Sequence, residues 1–257
     1  MTRLADVVGP ISSVTPLGGA AVLVQAGGRA VVVKQGLGVL EEADGLAWLR
    51  RVPGAPPVPD VVIAEAGLLV TLAVDQAPRK LGHDESLGRT LAALHAAPFS
   101  QWGGGSSWIG TCPVDPAPQA SGAAFYATRL YELARRCELE AAVTPVAARL
   151  DDVLPPDGPA LVHGDLWWGN VLFGADGRSW VIDPSVHGGH PEEDLAMLAL
   201  FGEVPDRLLR SYAEVRPLRT GWEERVALFQ LYPLLVHAVL FGGAYRDRAE
   251  AVARQFA

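Results

Sequence analysis

Between Leu161 and Asp194 the chain reads LVHGDLWWGNVLFGADGRSWVIDPSVHGGHPEED. Asp165 is followed five residues later by Asn170 and thirteen beyond that by Asp183, which ends the short apolar run Trp180 to Ile182. Two carboxylates and an amide brought together at facing strand ends make a hard-oxygen site suited to Mg²⁺, a cation that prefers oxygen ligands and keeps substrate phosphates in its shell. Asp and Asn beside glycine also serve as plain turn caps. The order of the three residues and their strand context favour the metal site.

The spacing is also that of the kinase catalytic loop H-x-D-x-x-x-x-N, whose Asp acts as base, followed by a metal-binding aspartate. Phosphoryl transfer further needs a cation on the nucleotide phosphates. Of the 21 Lys and Arg only Lys34 and Lys80 are lysines. Lys34 ends a Val31-Val32-Val33 run, as the strand lysine of kinases does, where a compact ammonium contacts the α/β-phosphates and a helix glutamate holds it. Glu42 is the expected partner and Glu41 the reserve. Lys80, in Pro78-Arg79-Lys80, reads as solvated surface. Gly18 and Gly19 can offer backbone N–H groups to phosphate oxygens, although G-x-G-x-x-G is absent and a plain hairpin turn reads equally well.

Antiparallel strands must carry Lys34. Ala21 to Gln25 and Ala30 to Lys34 are β-branched runs separated by Gly27-Gly28, the signature of a hairpin. Leu37 to Arg50 has apolar residues at helical spacing, and Val61 to Ala64 and Gly67 to Val74 give two more strands before a connector at Asp75 to Pro78. Beyond it the pattern predicts helices over Glu85 to Ala97, Ala123 to Cys137 and Thr144 to Leu154, with a long ordered loop from Pro98 to Gly122. Short strands follow at Ala160 to His163 and Ser179 to Ile182, then mostly helix from Glu192 to the end. The expected class is α+β: a small antiparallel-sheet lobe, residues 1–73, and a larger helical lobe, residues 74–257, with a ligand cleft between them.

Composition narrows the partners. The 257 residues are 49% hydrophobic and 19% charged, enough for a full core and too apolar for disorder as the main state. A net charge of -8 supplies no basic field for gripping a phosphodiester backbone, so nucleic acid is not an expected partner. Cys112 and Cys137 form no Cys-x-x-Cys and suggest neither a disulfide framework nor a zinc site. Met1 to Pro10 lacks the apolar core of a signal peptide, and the most apolar stretch, Leu231 to Phe241, is interrupted by Pro233 and His237. A cytoplasmic chain without a membrane partner, monomeric or weakly dimeric, is the expectation.

Three blocks resemble the fructosamine kinase or ketosamine-3-kinase family, relatives of the aminoglycoside phosphotransferases with a protein-kinase-like two-lobe fold. His163-Gly164-Asp165-Leu166-Trp167 with Gly169-Asn170 is similar to the family's HGDLWSGN. Asp183-Pro184 through Asp194-Leu195-Ala196-Met197 is similar to its DPA…DLAM block, and Gln230-Leu231-Tyr232 through Phe241-Gly242-Gly243 to its C-terminal helix. Ile109-Gly110-Thr111 and Phe125-Tyr126 add weaker support. Trp168 stands where the family commonly has serine, Ser185 replaces alanine, and His187-Gly188 replaces a frequent aromatic pair, departures that bear on substrate preference.

The resemblance implies ATP and Mg²⁺ as cofactors, Asp165 as catalytic base, Asn170 and Asp183 as magnesium ligands, and Lys34 with Glu42 as the nucleotide-holding pair. It also implies backbone contacts to adenine in the stretch containing Thr71 and Ala73, and sugar contacts from Trp167 and His237. The implied reaction is phosphorylation of the C3 hydroxyl of a ketosamine, the adduct of a sugar and an amine. A phosphate next to the C2 carbonyl can then leave and free the amine, which is deglycation repair. An aminoglycoside- or choline-type phosphotransferase would share the catalytic loop without the DLAM and LFGG blocks. A nucleotide-binding pseudokinase serving as an interaction module is disfavoured by intact Lys34, Asp165, Asn170 and Asp183.

Overall fold

The computed structural model describes residues 2–257; Met1, at the start of the stretch read as lacking a leader, lies outside them. A short helix α1 (Thr2–Val8) precedes strands β1 (Ile11–Gly18), β2 (Ala21–Ala26) and β3 (Arg29–Gln35), then helix α2 (Val39–Arg50) and strands β4 (Val61–Glu65) and β5 (Leu68–Leu72). The five strands form one sheet in the order β1-β2-β3-β5-β4, and every neighbouring pair is antiparallel. Side chains alternate between the faces of a strand. In β3, Val31 and Val33 therefore enter a core with Val24, Ala26 and Val70. Val32 and Lys34 turn the other way, beside their cross-strand partners Leu23, Ala21, Thr71 and Leu69.

Residues 73–80 connect this sheet to helix α3 (Leu81–Ala96). The connector lies on the second lobe: the Ala77 N–H donates to Phe173 (2.8 Å) and the Ala175 N–H to Asp75 (2.8 Å). After α3 come a two-residue hairpin, β6 (Trp108–Ile109) and β7 (Cys112–Pro113), and helices α4 (Gly122–Arg136), α5 (Glu140–Ala147) and α6 (Leu150–Val153). Strand β8 (Ala160–Val162) enters the segment rich in candidate site residues, followed by β9 (Val171–Phe173), β10 (Ser179–Val181) and β11 (His187–Gly189). Strand β11 pairs antiparallel with β8, and β10 with β9. Helices α7 (Glu192–Leu200), α8 (Asp206–Val215), α9 (Trp222–Phe241) and α10 (Ala244–Gln255) complete the chain.

Two cores fill the larger lobe, the first of them shared with Leu46 and Leu49 of α2. One joins Leu87, Leu91 and Leu94 of α3 to Leu166, Val171, Leu195 and Leu208, directly behind the turns that carry Asp165 and Asp183. The other joins α4, α5, α9 and α10 through residues such as Leu130, Val143, Leu231 and Ala253. Helix α9 is the one described helix long and apolar enough to cross a membrane, and half of its most apolar window is buried within the fold.

Several boundaries differ from the pattern. Helix α3 starts at Leu81 rather than Glu85, because Leu81 is exposed and breaks the apolar periodicity while His83 Nδ1 accepts from the Lys80 N–H at the helix entrance. The helix expected over Thr144 to Leu154 begins at Glu140 and is broken between α5 and α6. Buried Val143, Val146 and Leu150 keep helical spacing across the break and conceal it. The loop from Pro98 to Gly122 contains the β6–β7 hairpin, whose strands are too short to give a pattern.

Helices α3 and α8 meet at Gly88, where a Cβ would collide with the Leu208 carbonyl oxygen and press on Ser211. Gly88→Ala should therefore lower stability by about 1–3 kcal/mol, as overpacking does, read as a reduced denaturant midpoint with an unchanged slope.

Candidate active site

Asp165 lies just past the end of β8, on a turn whose backbone is fixed from below by Asp194 in the first turn of α7. Asp194 Oδ2 accepts the His163 N–H (2.8 Å) and Oδ1 the Gly164 N–H (2.9 Å). His95 of α3 donates from Nε2 to the same carboxylate (3.0 Å), and Tyr212 of α8 donates its hydroxyl to His95 Nδ1 (2.8 Å). Burial alone would raise the Asp194 pKa, but the hydrogen bond from His95 and the His163 contacts hold it below the usual carboxylate value. Nothing in the local sequence marks Asp194 or His95 as the anchor of the turn, because each finds its partner far along the chain.

Asn170 ends a single 3-10 turn and donates its amide to the Asp165 carbonyl (2.8 Å) and to Asp165 Oδ2 (3.2 Å). With its NH₂ so engaged, its Oδ1 is the side-chain atom left to meet a cation. The Ile182 N–H donates to the Asn170 carbonyl (3.0 Å) and sets the strand end carrying Asp183 beside it. Asp183 has φ 57, a left-handed conformation unfavourable for a residue with a Cβ and characteristic of sites that hold strain.

The two lobes meet at Lys34. Its ammonium donates to Glu42 Oε1 of α2 (2.8 Å) and contacts Asp183 Oδ1. Burial works to lower the Lys34 pKa, but Asp183 and Glu42 outweigh it and the net shift is upward. Burial raises Glu42 against the opposing pull of Lys34. Asp165 is pushed well above the usual carboxylate value by burial and then by the Asp183 charge.

Lys34, Glu42, Asn170 and Asp183 stand along one cavity of about 650 Å³. Leu23, Val32, Leu72, Leu172 and Ile182 give it an apolar interior, and Gly18, Gly19 and Thr71 also line it. Ala73 continues the strand end. Its N–H donates to the Ala30 carbonyl (3.0 Å), an extension of the β3–β5 ladder, and Leu72 and Val74 line the cavity around it. Asp165, with Ser106, Trp108, Thr111 and Ser185, faces an adjoining cavity of about 410 Å³ that shares Lys34 and Asp183.

Trp167 lies along the larger cavity, its ring packed so closely over Gly169 that a Cβ there has no room. His237 is outside the cavity lining and joins Trp167 through Phe201: the Trp167–Phe201 ring centroids are 6.1 Å apart and those of Phe201–His237 5.2 Å. Phe201 has no spacing that singles it out in the sequence. Lys80 is exposed, as expected.

A family model for fructosamine kinase matches residues 39–257. The chain belongs to the fructosamine kinase family. Among similar proteins, one described as a ketoamine kinase of Synechocystis sp. strain PCC 6803 is 38% identical over 186 residues, and the match spans 66% of this chain and 60% of that relative's length. A solved structure described as a fructosamine-3-kinase of Thermobifida fusca YX-ER1 is 38% identical, with a TM-score of 0.88 over 98% of this chain and 96% of that one. A choline kinase of Streptococcus pneumoniae, 16% identical over 99% of this chain and 95% of its own, has a TM-score of 0.68 and shows that the shared fold is protein-kinase-like.

The departures from the fructosamine kinase pattern are built into the scaffold. Trp168 lies under the Arg79 guanidinium of the connector, 4.2 Å from ring centroid to Cζ. His187 donates from Nδ1 to the Ser185 carbonyl (2.9 Å) and accepts at Nε2 from buried Arg129 (2.6 Å). Ser185 donates its hydroxyl to the Trp108 carbonyl (2.7 Å).

The lowered pKa of Asp194 fixes the sign of its contribution. Its stabilisation is fully present above the unfolded carboxyl value of about 4 and is lost as pH falls through the lower folded value. Asp194→Asn should cost about 2–4 kcal/mol at neutral pH, since it leaves buried donors poorly matched. In urea titrations the variant's midpoint should also fall less steeply than the wild type's on acidification.

Proposed function

We propose that the chain is an ATP-dependent kinase that phosphorylates the C3 hydroxyl of ketosamines. The observation carrying this reading is the single cluster of Lys34, Glu42, Asp165, Asn170 and Asp183 at the meeting of the two lobes, in a chain of the fructosamine kinase family. Residues 1–73 would be the nucleotide-binding lobe and residues 74–257 the catalytic and substrate-binding lobe.

The apolar interior of the larger cavity suits adenine, with Lys34, held by Glu42, on the phosphates beneath the Gly18-Gly19 turn. The free Oδ1 of Asn170 and the carboxylate of Asp183 are hard oxygen donors that fit Mg²⁺. When bound, that ion would offset charge on the transferring phosphoryl. Asp165 orients the acceptor hydroxyl and takes its proton while the hydroxyl oxygen bonds to the γ-phosphorus and the bond to the ADP oxygen breaks. Trp167 and His237 would contact the sugar. Loss of the C3 phosphate would then release the amine.

With ATP and magnesium, ADP release should be seen with fructoselysine or ribuloselysine and be absent with kanamycin and choline; turnover of the last two alone overturns the reading. Asp165→Asn should lower kcat by about 10²–10⁴-fold. Lys34→Arg should remove most of the activity, because a planar guanidinium replaces a compact ammonium held by two carboxylates. Lys80→Arg, at an exposed site, should change it little.

A further inference from the structure

Between the end of β11 and the segment joining α8 to α9 lies a cavity of about 410 Å³ that shares no lining residue with the two cavities at the cleft. Asp157, His190, Tyr212, Arg216, Arg219 and Thr220 are among the residues that line it. Neither phosphoryl transfer nor the nucleotide cavity uses any of them.

Two carboxylates face this space, and each already has an arginine. Glu192 accepts from Arg225 with both oxygens (2.6 and 2.8 Å), and Asp157 accepts from Arg219 in the same way (2.5 and 3.1 Å). Arg216 is the cation left over. Its Nη1 donates to the neutral His95 carbonyl (3.2 Å), while its Nη2 lies 3.9 Å from Asp157 Oδ1, too far for a hydrogen bond.

His190 supplies a second donor. Its Nδ1 accepts the Glu192 N–H (3.2 Å), so the proton of the neutral ring sits on Nε2. The side chain is only 5% exposed, and Nε2 has no hydrogen-bond partner among the described residues, Asp157 Oδ2 standing 3.7 Å away. A buried N–H in that position is costly unless something accepts from it. His190 and Asp157 also line a neighbouring cavity of about 290 Å³, but no arginine lines that one.

A buried ring N–H beside a guanidinium without a carboxylate of its own is matched by an oxygen acceptor that carries negative charge. We propose that the cavity of Arg216 and His190 is a second ligand site, taking a small organic anion, a phosphate ester or a carboxylate, whose binding steadies the catalytic turn. Pro217 and Leu218 in the lining give its apolar part a surface. The link to the turn is direct. Tyr212 donates to His95 Nδ1 and Arg216 to the His95 carbonyl, and His95 holds the Asp194 carboxylate that fixes the backbone before Asp165. An anion that orders Arg216 and Tyr212 therefore restrains that backbone from behind.

Calorimetric titration with phenyl phosphate, benzoate and phenol tests the site. One of the two anions should bind at least about tenfold more tightly than phenol, and which of them does so separates a phosphate-ester site from a carboxylate site. Arg216→Gln and Arg219→Gln should each weaken that anion about tenfold while leaving the Kd for phenol within about twofold. Arg219, whose side chain is 59% exposed, guards against a folding defect in the other variant. Equal affinity for all three probes, or unchanged affinity in both variants, overturns the site. Loss of anion binding in Lys34→Ala, with the arginine variants unaffected, places the anion in the cleft and overturns it too. At saturation the His163 and Gly164 amides should exchange with solvent about threefold more slowly, beyond any slowing in the β2–β3 ladder; no such excess overturns the link to the catalytic turn. None of these readouts needs turnover, so their failure is distinct from failure of the kinase reading.

Discussion

The Lys34 ammonium is the charge around which the site is assembled. It is held by Glu42 from α2 and by Asp183 from the far side of the cleft, with Asp165 nearby, its pKa raised by burial and then by the Asp183 charge. One cation among three carboxyl groups leaves surplus negative charge, and burial makes that surplus costly. The cluster is therefore complementary to a further cation. It also explains why α2 must lie close to the strand end: Gly45 of α2 packs against Pro184, directly after Asp183. Moving either element would leave a half-buried charge without its partner.

Behind the cleft, two buried ionic arrangements hold the two turns that matter. Asp194, His95 and Tyr212 fix the backbone before Asp165. Arg129, Glu193 and His187 hold the stretch after Asp183 through the Ser185 carbonyl. Buried charges are poor sources of stability compared with well-packed apolar groups. Their value here is directional, since a carboxylate accepting two consecutive N–H groups fixes a turn in a way that leucine cannot.

The parts of the structure visible in the sequence were those with short-range signatures. Alternating β-branched residues and a Gly-Gly turn gave the β2–β3 hairpin, and the spacing of Asp165 to Asn170 is within reach of a direct hydrogen bond. Lys34 and Asp183, 149 residues apart, could be joined only by likeness to a known arrangement. Asp194 and His95 were legible as a family block and as a residue on an amphipathic helix, not as partners, because pairing across 99 residues leaves no local trace. Strands β9 and β11 are three residues each, and β11 contains two glycines, so no period could announce them. That the Ala73 amide continues the ladder to Ala30 is likewise a pairing across the chain that leaves no local trace.

That same bond has a mechanical meaning. On the sheet side the last backbone tie is Ala73 to Ala30, and on the helical side the first is Ala175 to Asp75. The rest of the connector is stitched to β9 and capped by the Arg79–Trp168 stack, so it travels with the catalytic turn. Only Val74 stands between the two sets of ties, and Val74 itself lines the larger cavity. Val74 thus belongs both to the joint of the connector and to the cavity wall, while away from it the lobes are also joined where Leu46 and Leu49 of α2 share a core with α3 and the Val181 N–H donates to the Pro57 carbonyl (2.9 Å).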